Sequence, residues 1–260
     1  MMKTGNHSFA ILAYKESPYL EECIISLTKQ SIKSDIYIST STPSEFITDL
    51  AQKYNIPVKV NSISAGIASD WSFAYKNCLT PYVTLAHQDD IYLPDYTEKC
   101  LSAANKCSQC SMIFTDYSEL VNGKTIHNTL SFLVKRIILT PYLFTSCLRS
   151  GFMKRSILSL GNPVSCPTVT YNKDHIGKFE FTGGLLCSLD WDTWLRISAL
   201  NGCMTYVRKR LVYHRIHSGS EAYIQTSNYT RFKEDEVILR RMWPGFMARF
   251  FTFIHTLFIK

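Results

Sequence analysis

Hydrophobic positions in the first hundred residues switch repeatedly between two periods. Short apolar runs at 9–13, 36–39, 58–60 and 82–86 each read as a buried strand. Between them Leu20, Cys23, Ile24 and Leu27, and then Phe46, Leu50 and Tyr54, fall at helical spacing, so each helix lays one face on the sheet. Ser17-Pro18 predicts an N-cap followed by a first-turn proline, with Glu21 and Glu22 at the positive helix end. Thr42-Pro-Ser-Glu45 reads as a capping box. A further helix is predicted over 68–77. Strand and helix alternating at this pitch predict an α/β fold, with a mostly parallel sheet, flanking helices and strand ends gathered on one edge.

Beyond residue 120 the rhythm changes. Residues 111–117 make one more strand. Residues 130–180, broken by Pro141, Pro163 and Pro167, predict a helix and then a long irregular excursion over the sheet edge. A helix over 190–200 offers Trp191, Trp194, Leu195 and Ala199 for packing, and two short strands follow at 204–207 and 211–214. Residues 230–243 form a charged helix that runs into an apolar tail. The expected organisation is a domain over 1–229, divided near 120, and a helical tail over 230–260.

Composition narrows the class. At 260 residues, 46% hydrophobic and 19% charged, the chain can bury a real core. Net charge is +7, with Arg208, Lys209, Arg210, Arg215, Arg231, Lys233, Arg240, Arg241 and Arg249 gathered late. That asymmetry suits a phosphate ligand or an anionic membrane surface; without a basic–aromatic RNA motif or zinc finger, nucleic acid is not an expected partner. Nine cysteines scattered through apolar stretches read as reduced thiols, not a disulfide framework. Cys107-Ser-Gln-Cys110 is a lone CxxC, and without a second pair at zinc-ribbon spacing it predicts no metal. The first eight residues lack a signal-peptide core, and no apolar run is long enough to span a bilayer, so a cytoplasmic protein is expected.

Three clusters carry candidate chemistry. The strand over 82–86 ends in His87-Gln-Asp-Asp90, and in open α/β sheets ligands sit beyond such strand ends. Adjacent carboxylates there fit Mg²⁺ or Mn²⁺ beside a phosphate, although an acidic turn capping the next helix would use the same residues. Asp190 lies at a loop-to-helix junction, as an N-cap or as a general base held rigidly at a cleft. Asp192 reads as a surface residue countering the helix dipole, and Arg196 as the partner of a nearby acid or a phosphate. In Tyr213-His-Arg-Ile-His217, alternation puts Arg215 and His217 on one strand face, as anion clamp and metal ligand or as incidental surface residues.

Taken in order, these pieces resemble the family 2 inverting glycosyltransferases of the GT-A fold, over roughly residues 8–243. The stretch from Ala13-Tyr-Lys-Glu16 to Gln30 is similar to that family's first strand end and helix, and Gly66-Ile-Ala-Ser69 to its Gly-rich approach to the metal motif. His87-Gln-Asp-Asp90 occupies the place of Asp-x-Asp, Leu189-Asp190 that of Glu-Asp, and Arg215-Ile-His217 that of the late Arg-x-His element. The resemblance implies a nucleotide-binding half over 1–120 and an acceptor-side half over 121–229. It implies donor binding by Ala13, Tyr14, Glu16, Thr40, Gln88, Asp89, Asp90 and Arg215, metal binding by Asp89 and His217, and Asp190 as catalytic base. The cofactor would be Mn²⁺ or Mg²⁺, the donor a nucleotide-sugar with UDP as default, and the acceptor a glycan or lipid-linked hydroxyl in surface polysaccharide synthesis.

Three positions depart from the family. His87 and Gln88 break the acidic triplet, leaving Asp89 as the best metal ligand. Ser39-Thr-Ser-Thr42 replaces the acid-containing turn that holds the base of the nucleotide, and Leu189 replaces a Glu. The rival reading they motivate is a degenerate protein that binds a nucleotide or glycan without turnover. A nucleotidyltransferase fits less well, since no Gly-rich phosphate loop with a following Lys lies near the N-terminus. The tail from Arg240 mixes arginines with aromatics, the profile of an interfacial helix at the inner face of a plasma membrane or of a helix packed on the domain.

Overall fold

The computed structural model describes residues 5–63, 66–182, 184–220 and 229–258. Gly183 of the Asp190 motif, the first four residues and Ile259-Lys260 of the tail lie outside them. The first half runs β1 (His7–Ala13), α1 (Leu20–Thr28), β2 (Asp35–Thr40), α2 (Glu45–Lys53), β3 (Val58–Val60), α3 (Ile67–Asn77) and β4 (Tyr82–His87). Then come β5 (Ile91–Tyr92), α4 (Tyr96–Lys106), β6 (Cys110–Val121), β7 (Lys124–Ile126), α5 (Leu130–Ile138), β8 (Cys147–Leu148) and α6 (Gly151–Ser156). The last elements are β9 (Val169–Asn172), α7 (Lys173–Ile176), α8 (Leu189–Ser198), β10 (Cys203–Ile216), α9 (Thr230–Leu239) and α10 (Gly245–Phe258).

Among the described residues one sheet carries all ten strands in the order β3-β2-β1-β4-β9-β6-β10-β5, with β7 added to β6 and β8 to β10. β3, β2, β1 and β4 pair in parallel, as do β6 and β10. β9 runs against both β4 and β6, so it joins the two parallel sets from between them. This corrects the expected excursion over the sheet edge: part of 130–180 returns as a central strand. The two short strands expected late are one strand, β10, whose register slips between Val207 and Val212.

Strand alternation assigns each residue to one of two cores. Phe9, Ile11 and Ala13 face one layer with Leu20, Ile47, Tyr96 and Cys100 from α1, α2 and α4. Ala10, Leu85, Met112 and Phe114 face the other, with Trp71 of α3, Trp191 and Trp194 of α8, Ile238 of α9 and Ala248 of α10. Ala199, expected to pack, is exposed just past α8. Two caps also differ. Ser44, not Thr42, caps α2, its Oγ accepting from Ile47 N at 3.4 Å. α1 begins at Leu20, later than Ser17 predicted, because Ser17-Pro18-Tyr19 forms a turn in which Ser17 Oγ accepts from Tyr19 N.

Candidate active site

From β1 the chain moves outward to β2 and β3, then returns to place β4 on the other flank of β1. That reversal opens a crevice between the carboxyl ends of β1 and β4, the position where open α/β sheets bind ligands. Gln88 closes its floor: its Oε1 accepts from Tyr14 N at 3.1 Å and its Nε2 donates to Tyr14 O at 3.0 Å. Ala13 is buried beneath, while Tyr14 and Glu16 are exposed above. Lys15, at φ 55°, turns its N–H onto Thr42 Oγ1 at 2.6 Å.

Beyond β2, Thr40 is buried and its Oγ1 accepts from Thr42 N at 3.0 Å. Ser39 Oγ is buried with no hydrogen-bond partner among the described residues. An acid from another element reaches this turn. Asp70, one turn into α3, accepts from Ser41 Oγ and Asn61 Nδ2, each at 2.8 Å. Nothing in the sequence spacing pointed to it.

At the end of β4, the three residues His87, Asp89 and Asp90 bring ligand atoms within 4.8 Å of one another. Asp89 Oδ2 meets His217 Nε2 at 2.9 Å, and its carbonyl accepts from Arg215 Nε at 2.9 Å. Arg215 also pairs with Glu22 of α1 and lies over the Tyr19 ring, 4.2 Å from its centroid. The strand-face pairing of Arg215 with His217 thus brings both to Asp89. Asp90, expected to support a metal or face the donor, is buried and turned toward β10, accepting from Arg215 N at 2.8 Å and meeting His214 Nδ1 at 3.0 Å. Burial opposes a charge on His214, but the carboxylates of Asp90 and Asp89 outweigh it and raise its pKa. His87 differs: burial dominates the two acids and lowers its pKa, and its Nε2 is buried without a hydrogen-bond partner among the described residues. His87 Nε2 thus lies beside two carboxylates with its hydrogen-bonding capacity unused among the described residues.

Asp190 is the second residue of α8. Its carboxylate accepts from Trp191 N at 2.7 Å and from Asn162 Nδ2 at 2.8 Å. Desolvation raises its pKa to about 6, against the attraction of Arg231 and these hydrogen bonds. Burial also raises the Cys166 thiol, and Asp190 and Asp90 add to that shift, so this loop lies against both acids. The start of α8 is clamped by α9. Glu234 accepts from the N–H groups of Leu186, Cys187 and Ser188 at 2.8–2.9 Å, and Asp235 accepts from Ser188 Oγ at 2.8 Å. Asp192 is buried, not a surface residue, and pairs with Arg241 and Thr182. Among the described residues Arg196 makes no salt bridge within 4 Å: it donates to Glu180 O at 2.8 Å and covers the Phe179 ring, its charge acting on the Glu180 carboxylate from a greater distance.

Comparison with known proteins agrees with this fold. No curated protein matches the sequence. In structure the chain resembles S. aureus TarS residues 1–349, with a TM-score of 0.62 at 14% identity over 95% of this chain and 69% of that one. The same fragment in complex with UDP-GlcNAc gives 0.60 at 15% identity, over 95% and 70%. A longer TarS structure gives 0.61 at 14% identity, over 94% of this chain and 41% of that one. At such identity the likeness fixes the fold, which is GT-A. The sequence profile described as "Glycosyl transferase family 2" matches residues 8–163, more than half of the chain, and the protein therefore belongs to glycosyltransferase family 2.

Proposed function

We propose that this enzyme transfers a sugar, with inversion, from a nucleoside diphosphate sugar to a hydroxyl of a glycan or lipid-linked acceptor, with a divalent cation at Asp89. Nucleotide-sugar glycosyl transfer is the reaction class of the family; nucleotide, metal, stereochemistry and acceptor are the proposed refinements. The observation that carries them is the meeting of Asp89, His217 and Arg215 beside the crevice between β1 and β4. UDP as the nucleotide is supported by the complex of the TarS fragment with UDP-GlcNAc.

Asp89 would hold Mn²⁺ or Mg²⁺ with His217, which touches it, and with His87, whose Nε2 has no hydrogen-bond partner among the described residues; Asp90 lies in the same cluster and supports them. A bound cation there supplies positive charge next to the leaving diphosphate. Arg215 adds a guanidinium whose orientation Asp89 and Tyr19 fix in advance. Tyr14, Glu16 and Thr40 line the donor side, with Ala13 and Gln88 setting their backbone. Asp190 takes the proton from the acceptor hydroxyl as it attacks the anomeric carbon opposite the leaving group. With a pKa raised to about 6, Asp190 is a stronger base than an ordinary carboxylate yet is ionised at neutral pH.

The exposed face of α10 supports a lipid-linked acceptor. Phe246, Phe250, Phe253 and Leu257 form one apolar stripe beside exposed Arg249, while Ala248 and Thr252 pack inward. No described helix is long and apolar enough to cross a membrane. The deciding assay for the reaction is hydrolysis of a nucleotide-sugar panel with and without Mn²⁺. Release of the nucleoside diphosphate only with metal is expected; donor binding with no turnover, across many acceptors, would favour a non-catalytic binding protein.

A further inference from the structure

The lone CxxC is completed by the fold. Cys107 caps α4, Cys110 opens β6, Cys147 opens β8 and Cys203 opens β10. Cys110 and Cys203 are register partners across the β6–β10 ladder, and Cys147 faces Thr205 across β8–β10. Their thiols converge at the end of β10 opposite the donor crevice. The sulfurs of Cys107, Cys147 and Cys203 all lie within 4.8 Å of one another. Cys107 and Cys147 are joined as a disulfide, and Cys203 Sγ is 2.6 Å from Cys107 Sγ. Thr205 Oγ1 touches the sulfurs of Cys110, Cys147 and Cys203 at 3.1, 3.6 and 3.7 Å.

We propose that in the reduced chain these four cysteines bind one structural Zn²⁺, with Cys107, Cys147 and Cys203 as the core of the site and Cys110 as fourth ligand. Zn–S bonds of about 2.3 Å in a tetrahedron place sulfurs about 3.8 Å apart; Cys107, Cys147 and Cys203, whose sulfurs are already gathered within 4.8 Å, would reach that spacing by moving apart once the Cys107–Cys147 bond is reduced. A single disulfide accounts for two sulfurs and leaves two buried thiols packed against it; one tetrahedral ion accounts for all four.

The surrounding charge gives an independent argument. Four thiolates around Zn²⁺ are a net dianion, which a buried site must balance. Lys154 is buried and donates to Leu200 O at 2.7 Å and to Gly202 O at 3.0 Å, immediately before Cys203. No carboxylate among the described residues pairs with it. Arg149 binds Ser108 inside the CxxC turn at 2.9 Å. Two cations that pair with no acid among the described residues, set beside four sulfurs, fit a thiolate metal centre better than neutral thiols. The ion would tie α4, β6, β8 and β10 together, far from the donor site.

The test uses the untagged full-length chain, purified without added metal and dialysed against EDTA. Elemental analysis is expected to find one zinc per chain, all nine cysteines titrating as thiols after denaturation, and zinc release on mercurial titration. Exchange with Co²⁺ should give the thiolate-to-cobalt absorption of a tetrahedral sulfur site. Cys107→Ser and Cys203→Ser should lose the zinc, whereas Asp89→Ala and Cys187→Ser should keep it. If a cysteine variant does not fold, the Co²⁺ spectrum of the unmodified chain decides. A metal-free chain overturns the proposal, whether or not non-reducing mass spectrometry finds Cys107 linked to Cys147. So does zinc that Asp89→Ala loses and Cys203→Ser retains.

Discussion

Asp190 is the residue on which the proposed chemistry turns, and its environment makes a measurable commitment. Burial lifts its pKa from 3.8 to about 6, and the proposed base is the ionised form. Turnover should therefore rise with pH through about 6 and level off near neutrality. Folding shows the opposite trend: a raised folded pKa contributes stability below 3.8 that is lost as pH rises through about 6. Asp190→Asn should cut kcat by ~10²–10⁴ while leaving donor affinity unchanged; an equal loss of donor affinity would remove it from the role of base. Asp89→Ala and His87→Ala should instead weaken Mn²⁺-dependent donor binding by at least ~10-fold in calorimetry, and undiminished binding would place the cation elsewhere. Asp190 was readable because a carboxylate at a loop-to-helix junction is visible along the chain. Asp70 and the unbonded nitrogen of His87 were not, because each depends on what other elements do or do not bring to it.

At the scale of elements, α9 and α10 act as more than a tail. Glu234 holds three consecutive N–H groups ahead of α8, and His255 of α10 contacts Asp235 at 3.1 Å and Leu160 O at 2.9 Å. Glu234→Ala should lower stability by about 2–4 kcal/mol, since the buried Ser188 N–H and two part-buried ones lose a charged acceptor. It should also depress kcat more than donor KM by loosening α8. A thermal melt and steady-state kinetics check both, and an unchanged kcat in a folded variant would limit Glu234 to structure. The outward face of α10 makes a separate prediction. Phe250→Ser with Phe253→Ser should reduce co-sedimentation with anionic vesicles by ~10-fold or more, given about 1.5–3 kcal/mol per buried aromatic, with donor hydrolysis intact. Equal sedimentation would reject the membrane surface. Most elements were legible because their apolar periods are long enough to read. β9 was not: Val169-Thr-Tyr-Asn172 is a four-residue stretch behind Pro167, and only its two partner strands make it a strand. The cap of α2 was misread because Thr42 and Ser44 both suit an N-cap, and Thr42 is already occupied by Lys15 N.

The position of β9 decides how the whole molecule folds. Division near residue 120 separates two stretches of sequence with different rhythms, yet the sheet does not respect that division. β9 pairs with β4 through Val83↔Tyr171 and with β6 through Met112↔Tyr171. Buried polar groups of the first half also find partners there. Tyr92 Oη donates to Pro167 O at 2.8 Å, Tyr96 Oη to Thr168 O at 3.1 Å, and Thr84 Oγ1 meets Thr170 Oγ1 at 2.8 Å. Removing everything after residue 120 would leave facing edges of β4 and β6 unpaired and take from Tyr92 Oη its Pro167 partner, at about 1–3 kcal/mol. Domains of this size have only about 5–15 kcal/mol in hand. Residues 1–120 expressed alone should therefore lack a cooperative thermal transition and near-ultraviolet circular dichroism, whereas the full chain should unfold in one step. A fragment that melts cooperatively and binds the nucleotide would show that the donor half is a folding unit by itself, with β9 an ornament to it.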